Sequence, residues 1–175
     1  MSHQTVSVDK GGPMKRDNWL TYSGTILSLM LLDPSMAIAG QSTLEFKLVT
    51  KAIEVQSIDV PNLENQRIGQ GRAIGVATFK DGRIAIKNFV FQFDENKNGT
   101  SSTYGYSTYT FDDGSTITAR FSDQTGPNQA EHGEYKILSG TGAYAGATGT
   151  GSYDSIQSSF KSIGLYAVKL VVMTP

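Results

Sequence analysis

From Ser42 onward, apolar and polar residues alternate with a period of two, as strands with one face turned to a core require. In "TLEFKL", Leu44, Phe46 and Leu48 oppose Glu45 and Lys47. "GRAIGVATF" supplies a second strand, and "KDG" at 80–82 is a hairpin turn. In "RIAIKNFVFQF", Ile84 and Ile86 share one parity while Phe89, Phe91 and Phe93 share the other. Keeping one apolar face through that segment requires a switch near Lys87 and Asn88, of the kind a β-bulge makes. "ENKNG" is a turn, and "TSSTYGYSTYTF" sets Tyr104 and Tyr106 on one side and Tyr109 and Phe111 on the other. "DDG" at 112–114 turns the chain into "STITARF". "SDQTGPNQAEHG" reads as a long polar loop, "EYKIL" as a short strand and "GLYAVKLVV" as the last one. Short strands at regular spacing predict an all-β sandwich or barrel. A closed antiparallel β-barrel is the more economical of the two, since it leaves no edge to protect.

The first forty residues follow another pattern. Residues 1–13 show no periodicity and read as a disordered leader or an upstream extension. Met14 then opens a segment with a positive start at Lys15 and Arg16 and an apolar run at 26–32. Small residues at 37–39 complete a signal peptide over 14–39, with cleavage before Gly40. That reading places the barrel domain at 40–175 in the periplasm or outside the cell. The alternative is a helical lid over 17–38 on a cytoplasmic protein. The apolar run stops at Asp33 and Pro34 and is too short to cross ~30 Å of hydrocarbon, so stable membrane insertion is not expected.

The stretch "LSGTGAYAGATGTGSY" gathers Gly140, Gly142, Gly146 and Gly149 around single aromatic residues. A phosphate-binding loop would have to open a helix, and no helical periodicity follows. A flexible linker would not carry anchors spaced like Tyr144 and Tyr153. The remaining reading is structural: glycines let a strand bend and its backbone approach a neighbour at a barrel corner.

Composition narrows the chemistry. The 175 residues carry a formal net charge of −1, and Lys and Arg are scattered singly, which argues against nucleic acid. The absence of cysteine excludes disulfides, thiolate metal sites and a cysteine nucleophile. His132, beside Glu134, stands alone in its segment and reads as solvated; no metal site and no cofactor is expected. Arg72 and Arg120 fall within strands, either solvated outside or anchoring a carboxylate or enolate inside. Tyr104, Tyr106, Tyr109, Tyr135 and Tyr166 divide between core, subunit interface and hydroxyls aimed at a cavity. "NGT" at 98–100 matches a glycosylation acceptor pattern.

"YSTYTFDDGSTI", "EYKILSGTGAYAGATGTGSYDSI" and the terminal "LYAVKLVV" together resemble the allene oxide cyclase-like and dirigent-like barrel superfamily. Gly140, Gly142, Tyr144, Gly146 and Gly149 stand where that superfamily carries its glycine–aromatic signature. The resemblance implies eight strands, a small-molecule cavity and assembly as a homo-trimer or homo-dimer. It implies Glu45 in the place of a first-strand glutamate, with Lys47 where the plant cyclases have an asparagine. On this basis Glu45, Tyr106 and Arg120 are candidate catalytic residues. Phe46, Arg72, Tyr106, Tyr135 and Tyr166 are candidate cavity residues.

The function these readings imply is binding of a small hydrophobic molecule and steering of its cyclisation or coupling by shape, as an isomerase or cyclase would. The alternative is a non-catalytic structural or interaction barrel whose interior its own side chains fill. The volume inside the barrel separates the two.

Overall fold

The computed structural model describes residues 40–160 and 162–175. The leader, the signal peptide at 14–39 and the alternative lid at 17–38 lie outside the described residues. Eight strands follow in chain order: β1 (Gly40–Asp59), β2 (Gln66–Phe79), β3 (Ile84–Asn96), β4 (Thr100–Phe111), β5 (Thr116–Thr125), β6 (Glu131–Thr141), β7 (Thr148–Ser155) and β8 (Gly164–Thr174). Each pairs antiparallel with the next, and β8 pairs antiparallel with β1, so the sheet is a closed eight-stranded barrel. The closing seam runs from Gly40 opposite Thr174 to Thr50 opposite Gly164. No helix of the described residues is long and apolar enough to cross a membrane.

Alternation decides what is inside. On β1 the even positions Leu44, Phe46, Leu48 and Thr50 are buried. On β4 Gly105, Ser107, Tyr109 and Phe111 are buried, whereas Tyr104 and Tyr106 face out. The hairpin turns at 80–83 and 112–115 and the glycine segment share one end, here the lower end. The 60–65, 97–99, 126–130 and 156–163 connections share the upper one. The lower half is solid. Phe46 stacks on Phe79 at 4.8 Å, Phe79 on Phe111 at 5.7 Å and Phe111 on Tyr144 at 4.8 Å. Ile117, Ile137, Leu170 and Val172 fill the space around these rings.

β3 departs from the expectation of a face switch. Its register with β2 and β4 is unbroken from end to end. Ala85, Lys87, Phe89, Phe91 and Phe93 therefore all point inward, while Ile84 and Ile86 are exposed. No bulge forms at Lys87 and Asn88. The register shifts lie elsewhere, between Ala52 and Glu54 on β1 and opposite Thr118 and Ala119 on β6. The polar stretch after "STITARF" is also shorter than its composition predicts. β5 runs on to Thr125 and β6 starts at Glu131, leaving 126–130 as the loop. Asp123 and Glu131 thus belong to strands.

The glycine segment is a corner. A single 3₁₀ turn at Gly142–Tyr144 joins β6 to β7, and Gly142, Gly146 and Gly149 all have positive φ. A Cβ on Gly140 would meet the Tyr144 carbonyl oxygen, and one on Gly149 would meet that of Val171 on β8. The corner lets β7 come close enough to β8 for the two strands to pair. Gly149→Ala is expected to cost about 3 kcal/mol, because a backbone oxygen cannot give way. Gly82→Ala, at φ 87° in open space, should cost only about 1 kcal/mol. Urea unfolding of both variants compares the two costs.

Candidate functional site

The upper half of the barrel is hollow. A cavity of about 410 Å³ lies between Leu48, Thr50 and Ala52 of β1, Ala73 of β2, Lys87, Phe89 and Phe91 of β3, and Phe121 of β5. Tyr135, Tyr153 and Tyr166 form the opposite wall with Asp123 and Glu131, and 162–164 contribute from the last connection. This volume lies in the range of small-molecule sites. Phe91 and Phe121 fit because Gly71 and Gly105 sit opposite them on the neighbouring strands.

Lys87 is carried inward by the unbroken parity of β3 and is 4% exposed. Its ammonium lies 4.3 Å from the Phe89 ring centroid, 5.0 Å from that of Phe121 and 5.2 Å from that of Tyr135. Ring faces attract a cation by their quadrupole. Lys87 Nζ donates to Tyr135 Oη at 2.8 Å, and Tyr109 Oη donates to the same oxygen at 3.1 Å.

Two carboxylates share the cavity. Tyr153 Oη donates to Asp123 Oδ2 at 2.6 Å, and Tyr166 Oη donates to Glu131 Oε2 at 3.0 Å. The other oxygen of Asp123 is buried with no partner among the described residues, and so is the Ser107 hydroxyl. Of the two, Asp123 lines the cavity, where an unpaired polar atom is a place a ligand can bond.

Burial sets the proton affinities. It pulls the Lys87 ammonium down to about 7, with Glu131 and Asp123 acting against it. It pushes Glu131 up to about 7, reinforced by the charge of Asp123 and opposed by the Tyr166 hydrogen bond and by Lys87. Asp123 is raised by burial too, against the hydrogen bond from Tyr153. Burial raises all four phenols, so Tyr109, Tyr135, Tyr153 and Tyr166 remain donors at neutral pH. One amine and one carboxyl that both titrate near neutrality can give and take protons inside an apolar enclosure.

The residues named from sequence fall in three places. Tyr135 and Tyr166 line the cavity. Phe46 is interior but belongs to the packed half, 5.5 Å from Tyr109, and does not line the cavity. Arg72, Tyr106, Arg120 and Glu45 stand on the outer face, one residue out of phase with the inward positions and outside the interior cavity; Arg72 and Tyr106 line an outer groove with Gln70, Gln92 and Tyr104. Glu45 lies 3.5 Å from Lys80 and 3.6 Å from Lys169, an exposed ion cluster. His132 is exposed and bonds Asp154 at 2.7 Å, and Glu134 is exposed beside it. Sequence reasoning missed Lys87, Asp123 and Glu131. The signal that could have found Lys87 is the shared parity of 85, 87, 89, 91 and 93.

No protein-family model matches the chain, and no curated protein matches its sequence. Among solved structures it is similar to the pterocarpan synthase dirigent protein GePTS1, at 15% identity with a TM-score of 0.55, over 89% of this chain and 97% of that one. It is similar to the pterocarpan synthase dirigent protein PsPTS1 at 15% identity and a TM-score of 0.54, over 77% and 96% of the two chains. Likeness at this identity is one of fold.

A depressed lysine binds its proton less readily in the folded chain than in the unfolded one. Its destabilisation is therefore fully present below about pH 7 and is relieved as pH rises toward the ordinary value of 10.5. Lys87→Met is expected to stabilise the barrel at pH 6 by on the order of a few kcal/mol. The gain should fade by pH 10. Thermal melts of both proteins across that interval measure it.

Proposed function

We propose that the barrel takes one small, largely hydrophobic molecule into its upper cavity and orients it there for cyclisation or coupling. The observation that carries this reading is the half-filled interior: solid below, and open above over about 410 Å³ with apolar walls and a polar cluster. Holding a reactive molecule in one conformation lowers its barrier through proximity and shape. The barrel fold shared with the two pterocarpan synthase dirigent proteins supports it. The interior proton donors supply one polar anchor, while the aromatic wall takes the rest of the ligand. Export through 14–39 would set this work outside the cytoplasm.

A ligand present at a hundred times its Kd stabilises the folded state by about 2.7 kcal/mol. Thermal-shift screening with small aromatic and terpenoid compounds is expected to find stabilising ligands. Ala73→Trp, which places an indole in the cavity from β2, should abolish the shift while the barrel still melts cooperatively. A panel in which nothing stabilises the wild type would overturn the ligand-binding reading and leave a non-catalytic barrel.

We place the subunit contact of the expected homo-oligomer on the outer face. Val49, Val76 and Ile86 are exposed and adjacent across β1, β2 and β3. Contiguous exposed apolar surface marks interaction sites. Light scattering should give two or three times the chain mass, and Val76→Lys should return the monomer.

A further inference from the structure

Lys87 is the one basic side chain lining the upper cavity among the described residues. Its amine has a single hydrogen-bond partner, Tyr135, and its other close neighbours are ring faces. No carboxylate holds it in an ion pair among the described residues: Asp123 and Glu131 share the cavity but are bonded by Tyr153 and Tyr166 instead. An amine so placed is free to present its lone pair to whatever fills the cavity.

We infer that Lys87 captures carbonyl compounds, condensing with an aromatic or conjugated aldehyde in the cavity to form an imine. The inference deepens the ligand-binding reading and rests on it.

The chemistry follows from the surroundings. With burial holding the ammonium near 7, about half of the Lys87 amine is neutral at pH 7, against roughly 0.03% for a lysine at the ordinary value. Its lone pair attacks the carbonyl carbon, a C–N bond forms, and the carbonyl π pair moves onto oxygen. One proton passes from nitrogen to that oxygen, giving a carbinolamine. The C–O bond then breaks as the oxygen takes a second proton from the carboxyl group of Glu131 and leaves as water. Nitrogen closes the C=N bond, and the iminium charge is balanced by the Glu131 carboxylate. Amine, aldehyde and carboxylic acid thus become iminium, water and carboxylate, with no oxidant or reductant. Phe89, Phe91 and Phe121 offer the conjugated tail flat apolar surface.

The test incubates the full chain with cinnamaldehyde and sodium cyanoborohydride at pH 7.5, with peptide mass spectrometry locating the reduced adduct. Lys87 is expected to be alkylated at least tenfold faster than Lys47, Lys80, Lys136 or Lys169, with a rate that saturates in aldehyde. Lys87→Met and Lys87→Arg should lose the fast phase in intact mass. Glu131→Gln should slow it about tenfold. Labelling of Lys87 no faster than the exposed lysines, or an unchanged fast phase in Lys87→Arg, overturns the inference. Cinnamyl alcohol, which cannot form an imine, separates the two levels. Stabilisation by the alcohol without trapping of the aldehyde sinks imine chemistry and leaves binding intact. Neither effect would remove both.

Discussion

The constraint on which the rest depends is the pairing of four large interior rings with glycines on the adjacent strands. Phe93 faces Gly69, Phe91 faces Gly71, Phe121 faces Gly105 and Tyr153 faces Gly133, all in direct register. In each pair a Cβ on the glycine would collide with the ring. An eight-stranded barrel has an interior just wide enough for side chains to fill, so a ring from one strand requires emptiness on the next. The four pairs lie toward the upper end. Below them the opposite solution applies: Phe46, Phe79, Phe111 and Tyr144 stack on one another and close the floor. Ring against glycine leaves a residual volume, whereas ring against ring does not. The cavity is a consequence of that change of packing rule along the barrel axis.

Into this apolar enclosure the strands deliver one amine, two carboxyls and three phenols, with the Tyr109 hydroxyl bonded to Tyr135 from below. Charges without water are costly unless paired and hydrogen-bonded. Here the cost is reduced in two ways. Phenols donate to both carboxylates and accept from the amine. Burial also shifts the amine and Glu131 toward each other until both titrate near neutrality, so their charged forms are populated together only in part. A buried Asp123 oxygen is still left without a partner among the described residues. A fold selected for stability alone would place Leu or Phe at these positions, and local rules of this kind are broken mostly where a site is needed.

How much of this was legible in the sequence varies from element to element. The strands and hairpin turns could be read because turn residues and period-two alternation are local signals. The glycine corner could be read for the same reason. The burial of Lys87 was legible only through the parity it shares with three phenylalanines: with Ile84 and Ile86 on the other parity, hydrophobicity alone favours a bulge over an interior lysine. The phenylalanines prevail because they share Lys87's parity and the ring–glycine register with β2 and β4 fixes β3. Asp123 and Glu131 flank a Gly-Pro-Asn stretch whose composition hides the strand ends on both sides. Arg72, Tyr106 and Arg120 differ from the interior positions by one-residue phase alone, and a strand's sequence does not say which face the barrel takes. Tyr135 and Tyr166 share their strands with buried aliphatic residues of the same parity, Ile137 and Val168, which is why the sequence could place them inside.

The axial positions of the groups add a polarity to the cavity. Glu131 is the first residue of β6 and Asp123 lies near the end of β5, so both carboxyls belong to the upper end. Lys87 lies near the start of β3 and touches Tyr109, whose ring packs on Phe46 of the floor. The carboxyls therefore reach the cavity from its upper rim and the amine from nearer the floor, close enough for their charges to act on one another, while Phe89 and Phe121 pack directly on the amine. A molecule in the cavity meets the amine and the carboxyls as one polar cluster on an otherwise aromatic wall, so its polar and apolar ends are not interchangeable. Orientation of that kind is what a barrel needs if shape is to select one product from a flexible precursor. Two barrels can share the wall and differ wholly in the groups that line it, so a fold held in common at 15% identity carries no statement about the amine and carboxyls that β3, β5 and β6 bring to this cavity.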